Sequence, residues 1–390
     1  MQPLKKLLVI CEPNYIEATK NTRNLSTNEI LGEYSRYFDE VHCLCPGQEN
    51  AYDLPSSIGV RFHTLNGYRG GKINKTLFLL KSNKEFLKNL IEKYQIDIIQ
   101  FRIPSFMSMS LYKDAKDIKI PKTIYIAGDV RENFVSSFGK ILFIKQIAKY
   151  LEHKQFDLVR NTIAVATGDV LKEKYKNVNP NIHAYYSSTH KDVNRANCGP
   201  IPDTFNIVYI GRIDPGKRVE DLITAISLVK GKIKNINVNI IGDGNGGALD
   251  NIKQIVKNLD LEQYFHFHGY ISKRSDIDKI LLNSNALVLP SVTEGTAKVL
   301  PEAMSRGVIP IAVSGAGSNN FIIKNGVNGF LVAPYAPEEI AESILKLHNQ
   351  PNLILKMRDA AYEYAESKTM KNEIQKLWEF VFQNVKQHKK

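Results

Sequence analysis

Short apolar runs alternate along this chain with longer stretches in which apolar residues recur every three or four positions. The runs are "KLLVI", "EVHCLCP", "IDIIQF", "KTIYIAGD" and "TIAVATGD" in the first half, then "FNIVYIGR", "INVNIIGDG", "FHFHGY", "NALVLPS" and "VIPIAVS" in the second. Between them lie stretches such as "VEDLITAISLVKGKI". A short apolar run closed by turn residues fits a strand covered on both faces, and the three-to-four spacing fits amphipathic helices. Strands and helices in alternation predict parallel sheets wound on both sides, so the fold class is α/β.

A chain of 390 residues exceeds the length at which a single core usually stops growing, so two domains are expected. The pattern breaks near residues 190–204, where "HKDVNRANCGPIPD" has turn formers and no apolar period. This places a first domain over 1–195 and a second over 196–368. The remainder, 369–390, carries Ile374, Leu377, Trp378, Val381 and Val385 on one helical face, and such a face predicts docking, with the first domain as its partner.

Composition narrows the class. With 43% hydrophobic and 24% charged residues, the chain is an ordinary globular protein. The opening "MQPLKKLLVICEP" has an apolar stretch too short for a signal peptide or a membrane span, so it reads as a first strand. Four cysteines without metal-ligand spacing point to reduced thiols in a cytoplasmic protein. The net charge of +12 is uneven, +9 over residues 1–200 (29 basic, 20 acidic) and +3 over the rest (23 basic, 20 acidic). Such a bias serves nucleic acid, an anionic membrane or an anionic substrate. No recognition helix, zinc module or aromatic RNA motif is present, which sets nucleic acid aside. The stretches "KINKTLFLLKSNKEFLKNLIEKY" and "GKILFIKQIAKYLEHK" are basic and amphipathic, as peripheral helices on anionic lipid are, although packing on their own sheet produces the same pattern.

Four motifs carry candidate chemistry. In "YIGRIDPGKR" a strand ends at Gly211 and Arg212, with Lys217 five residues later; a strand-end cation pair suits a diphosphate, while its plainer reading is a solvated turn. "GDGNGG" matches a dinucleotide fingerprint at Gly242, Gly244 and Gly247, but it closes a second strand and lacks the following acid, so it reads as a glycine turn. In "SDID", Asp276 and Asp278 open a helix and are explained by its dipole. His266 and His268 alternate along a strand without a third ligand, so no metal site is expected. In "SVTEGTAKVLPEA", a strand ending at Pro290 puts Glu294 above the sheet, and Pro301 requires a helix to start between about Thr296 and itself. Glu302 then lies near that helix start, where an acid suits either the dipole or sugar hydroxyls.

In sequence order, strand-"GR"-x4-"K", strand-"GDG", "HGY", "PS"-x2-"EG"-x6-"EAM"-x2-"G"-x2-"PI" and "NG"-x2-"GFLV" resemble the C-terminal half of retaining GT-B glycosyltransferases of the large family 4. Those enzymes transfer a sugar from a nucleotide diphosphate sugar. The resemblance spans roughly residues 205–335; the first half shares only the strand–helix rhythm. It implies two Rossmann-like domains facing a cleft, the first for acceptor and the second for donor. Arg212 and Lys217 would hold the donor diphosphate, Glu294 the sugar, and Gly295, Thr296, Ala297 and Lys298 would cradle both. Glu302 would take the ribose, and the backbone at Gly211, Gly242 and Tyr270 would line the nucleotide, with Tyr270 at the base. The family's histidine after the fourth strand is replaced in "YIAGDVRENF", where Asp129 becomes the candidate acceptor-side base.

Three departures stand out. Thr296, Ala297 and Lys298 replace a common aromatic and glycine, "CEPNYIEATKNTRN" with Arg23 replaces a glycine-rich loop, and Phe321 sits at a commonly acidic position. The resemblance implies a UDP sugar ahead of a GDP sugar as donor and a glycan or lipid-linked acceptor in surface polysaccharide synthesis. Without an acid pair for a metal, metal-independent transfer with no cofactor is expected, by a cytoplasmic protein for which the inner face of the cell membrane is an optional peripheral site. A nucleotide-sugar epimerase or a phosphorylase of the same fold is the alternative; a NAD oxidoreductase would need "GDGNGG" to bind pyrophosphate.

Overall fold

The structure is a computed structural model that describes residues 4–11, 25–47, 49–54, 58–66, 82–131, 143–198 and 204–387. The chain divides into two units: Met1–Tyr186 with Glu373–Lys390, and Ser187–Asn372. In the first, strands β1 (Lys6–Ile10), β2 (Glu40–Pro46), β3 (Ala51–Leu54), β4 (Arg61–Leu65), β5 (Ile98–Ile103), β6 (Lys122–Ile126), β7 (Ile163–Thr167) and β8 (Ile182–Tyr185) form one sheet. Its order is β3-β4-β2-β1-β5-β6-β7-β8, parallel except for β3 against β4. Leu7, Leu8, Val9 and Ile10 of β1 are all buried, because a central parallel strand is covered on both faces.

In the second unit, β9 (Phe205–Ile210), β10 (Ile236–Ile241), β11 (Phe265–Gly269), β12 (Ala286–Leu289), β13 (Ile309–Val313) and β14 (Phe330–Val332) form a parallel sheet ordered β11-β10-β9-β12-β13-β14. Succession reverses at β9, which pairs with β10 on one side and β12 on the other. A crevice opens at such a switch point, outside the carboxyl ends of the strands. The connections after β9 and β12 therefore meet there.

The last helix, Met370–Gln387, buries Ile374, Leu377, Trp378, Val381 and Val385, the face its spacing predicts. From Glu373 onward the helix belongs to the first unit, where Trp378 meets Tyr34 and Phe38 edge-on at 5.0 and 4.6 Å and Glu373 Oε2 accepts from the Tyr186 N–H at 2.9 Å. Of the two basic stretches, residues 72–81 and 139–142 lie outside the described residues; the helix Lys84–Tyr94 buries Leu87, Leu90 and Ile91, whereas Ile144–Arg160 buries Ala148, Leu151 and Val159 but leaves Ile147 and Tyr150 exposed. Among the described residues no helix is long and apolar enough to cross a membrane.

A buried histidine pair ties β2 to β4. His42 Nδ1 lies 2.9 Å from His63 Nε2, and the Asp53 N–H donates to His63 Nδ1 at 3.1 Å. His63 must then carry its proton on Nε2 and donate it to His42. Burial depresses both pKa values, His42 to about 4 with Glu40 opposing the shift, and His63 to about 3 with His42 adding to it. The unfolded chain binds these protons from about pH 6.5, so the stability held by the neutral pair is complete above that pH. It declines as the pH falls towards 4 and below. Each unit of depression is linked to about 1.4 kcal/mol, so a loss on the order of a few kcal/mol is expected. Denaturant titrations from pH 7 to 4 should show a shallower decline for the His42→Gln, His63→Gln double variant. Equal slopes would exclude the pair as the titrating element.

Candidate active site

The site is built from the connection after β9. Gly242 has φ +141°, and a Cβ there would stand 1.8 Å from the Gly211 carbonyl oxygen, so the ends of β9 and β10 approach at a distance only glycine allows. The Tyr209 hydroxyl donates to the Arg212 carbonyl at 2.6 Å. This holds the strand end while the Arg212 side chain stays 83% exposed, 3.4 Å from Asp214. Asp214 Oδ1 accepts from the Gly216 N–H at 3.1 Å and caps the tight turn Pro215–Lys217.

That turn aims Lys217 at the segment after β12. Lys217 Nζ donates to Glu294 Oε1 at 2.7 Å and to the Thr293 carbonyl at 3.1 Å. The two charged side chains are only 14% and 12% exposed. The Val292 N–H donates to the Gly216 carbonyl at 3.1 Å, so backbone as well as charge clasps the two loops together.

Beyond Glu294 the chain turns through Gly295, Thr296 and the buried Ala297, and Lys298 caps a helix over Val299–Met304 with Pro301 in its first turn. A third loop packs on this turn. The Ser318 N–H donates to the Gly295 carbonyl at 3.0 Å, and a Cβ at Gly317, whose φ is +52°, would stand 2.2 Å from that same oxygen. Phe321, in the helix that follows, is half exposed. Tyr270, just past β11, is 59% exposed.

Glu302 is not a free carboxylate. Its Oε2 lies 2.8 Å from Nη1 of Arg274, whose Nε donates to Asp278 Oδ1 at 3.2 Å. Asp278 Oδ2 in turn accepts from Arg306, which is 7% exposed and also bonds Asp192. Burial opposes the charge on Arg274, but Glu302 and Asp278 outweigh it and leave the guanidinium more basic than usual. Composition and spacing missed this chain of charges. The one signal was a cation, Arg274, at the first position of a helix, where the dipole disfavours it.

In the first unit, Asp129 follows β6. Its Oδ2 lies 2.5 Å from Lys174 Nζ and its Oδ1 accepts from the Arg131 N–H at 2.8 Å; Lys174 also pairs with Glu152. The segment "CEPNYIEATKNTRN" with Arg23 lies outside the described residues except for Cys11. Among the described residues, no group of three or more His, Cys, Asp and Glu side chains is placed to hold a metal ion. His268 Nε2 instead lies 2.8 Å from the Asn239 side-chain oxygen.

Two α/β domains with parallel sheets, the second carrying a cation–carboxylate pair at its switch point, make a GT-B fold. Residues 191–368 match the family described as glycosyl transferases group 1. An uncharacterised glycosyltransferase of Haemophilus influenzae is 24% identical over 300 residues, covering 74% of this chain and 78% of that protein. This chain spans less than half the length of several further relatives it matches. Among solved structures, Anabaena HepE in complex with UDP has a TM-score of 0.68 at 14% identity, with 97% of this chain and 100% of that one covered. The lipopolysaccharide outer core galactosyltransferase WaaB has a TM-score of 0.67 at 16% identity, with 97% and 99% covered. At these identities the structural likeness establishes the fold, and the sequence matches support a glycosyltransferase.

Proposed function

We propose that this chain is a retaining glycosyltransferase that moves a sugar from a UDP sugar, with a GDP sugar next in order, to a glycan or lipid-linked acceptor in surface polysaccharide synthesis. The observation that carries the reading is the Lys217–Glu294 pair, 2.7 Å apart at the switch point with Arg212 exposed beside it. A diphosphate leaving group gains charge as the glycosidic bond breaks, and cations fixed in advance at that charge are usually the largest catalytic term. Arg212 and Lys217 supply it here without a metal ion. Glu294 holds Lys217 in place and accepts hydrogen bonds from the donor sugar. Gly295, Thr296, Ala297 and Lys298 lie between the sugar and the phosphates, and the Lys298 ammonium adds positive charge there. Glu302 receives the ribose, and the backbone at Gly211, Gly242 and Tyr270 lines the nucleotide.

On the acceptor side, Asp129 acts as a polar contact or base only when Lys174 releases it, since the ion pair occupies its carboxylate. Proton transfer by such a group contributes about 10²–10⁴-fold, so its loss slows transfer without abolishing it.

HepE was solved with UDP and WaaB is a lipopolysaccharide galactosyltransferase, which puts uridine and a surface glycan first among the choices. Incubation with UDP-glucose or UDP-galactose, followed by NMR, separates the readings. The proposal expects donor consumption that requires an acceptor and a product with the donor's anomeric configuration. Epimerised sugar formed from donor alone would replace it with the epimerase reading.

A further inference from the structure

We infer that Arg274 is a positioning residue for the nucleotide ribose, acting through Glu302; the inference rests on the reading of Glu302 just proposed. Glu302 lies in the first turn of the helix Val299–Met304, and its side chain is 12% exposed. Arg274 takes one of its two oxygens, Oε2, at 2.8 Å. The other, Oε1, has no partner among the described residues. A carboxylate gripped on one oxygen has a fixed rotamer and presents the second to a pair of vicinal hydroxyls, the chemistry of a ribose 2′,3′-diol.

The grip is itself held. Asp278, one turn further along the helix Arg274–Leu282, accepts from Arg274 Nε at 3.2 Å, and its second oxygen accepts from Arg306 at 3.2 Å. Arg306 stands four residues after Glu302 and is anchored on Asp192 by a 2.9 Å contact to the carboxylate and a 3.0 Å bond to the carbonyl. Glu302, Arg274, Asp278, Arg306 and Asp192 thus alternate in charge, with the buried Arg306 joining Asp278 to Asp192. A cation at the first position of a helix is disfavoured by the dipole, so the place of Arg274 is set by the two carboxylates it joins. A side chain oriented by a second one binds more tightly because less ordering remains to be done when the ligand arrives.

The role is distinguishable from general structural support because it concerns the ribose hydroxyls alone. UDP and 2′,3′-dideoxy-UDP are titrated calorimetrically into the full-length protein and its variants. The wild type should prefer UDP by about tenfold or more, the range of hydrogen bonds to a charged group. Arg274→Met should shrink that ratio to threefold or less while affinity for the dideoxy nucleotide stays within about twofold, and Arg274→Lys should restore part of it. If Arg274→Met does not fold, the milder Arg274→Gln must shrink the ratio at least threefold. A full ratio in folded Arg274→Met or Arg274→Gln protein, with the ratio lost in Glu302→Ala, would overturn the role of Arg274 alone. A full ratio in Glu302→Ala would overturn the ribose assignment beneath it.

Discussion

Glu294→Gln is expected to lower the rate of sugar transfer from the cognate donor by about 10²–10³-fold, the scale seen when one preorganised electrostatic group is removed from an active site. The amide nearly matches the carboxylate in shape, so the loop after β12 keeps its course and the loss reports charge. Glu294 faces Lys217 at 2.7 Å with both side chains mostly covered, and neutralising it frees the ammonium to leave its position. On the proposed role of Glu294 as a sugar contact that strengthens as the bond breaks, the defect should appear in kcat as well as in kcat/KM. Steady-state kinetics with folded Glu294→Gln protein checks this. Activity within threefold of wild type would remove Glu294 from the chemistry.

The second large effect concerns the donor diphosphate. Arg212 is 83% exposed and contributes little to folding, whereas Lys217 is 14% exposed and bonded to both Glu294 and the Thr293 carbonyl. Loss of Arg212 alone therefore tests binding cleanly. Loss of both cations should weaken nucleoside diphosphate binding by about 100-fold or more, since charge-assisted bonds to phosphate contribute roughly 1.5–3 kcal/mol each.

How much of this was legible in the sequence varies with the range of the interactions. β1 and β2 fall on the runs "KLLVI" and "EVHCLCP", because a strand buried on both faces is mostly apolar, with His42 of β2 the exception that His63 satisfies. β3, β4, β8 and β14 were not anticipated. "AYDL", "IHAY" and "FLV" are three or four residues long, and "RFHTL" carries the histidine and threonine that its neighbours satisfy only in three dimensions. The face of the last helix was legible for the opposite reason: eighteen residues allow its apolar period to declare itself.

The candidate site divides in the same way. Arg212, Lys217 and Glu294 stand in the connections that follow β9 and β12, where glycine and proline mark the turns, so local order points to them. The ion chain behind Glu302 is assembled from residues 192, 274, 278, 302 and 306, and no local pattern connects these. "SDID" was read as first-turn acids, and Asp276 is one, but Asp278 is the hub of two arginines. Asp129 likewise has a partner, Lys174, that lies 45 positions away.

The central claim is that the switch point of the second domain holds a nucleoside diphosphate on Arg212 and Lys217. The most direct measurement is calorimetric titration of UDP into the wild type and into the Arg212→Ala, Lys217→Ala double variant, with GDP and ADP as controls. The account predicts that the wild type binds UDP in preference to the other two and that the double variant, still folded by circular dichroism, loses about 100-fold or more in affinity. UDP binding of equal strength in both proteins, or no binding of any of the three nucleotides to the wild type, would contradict it.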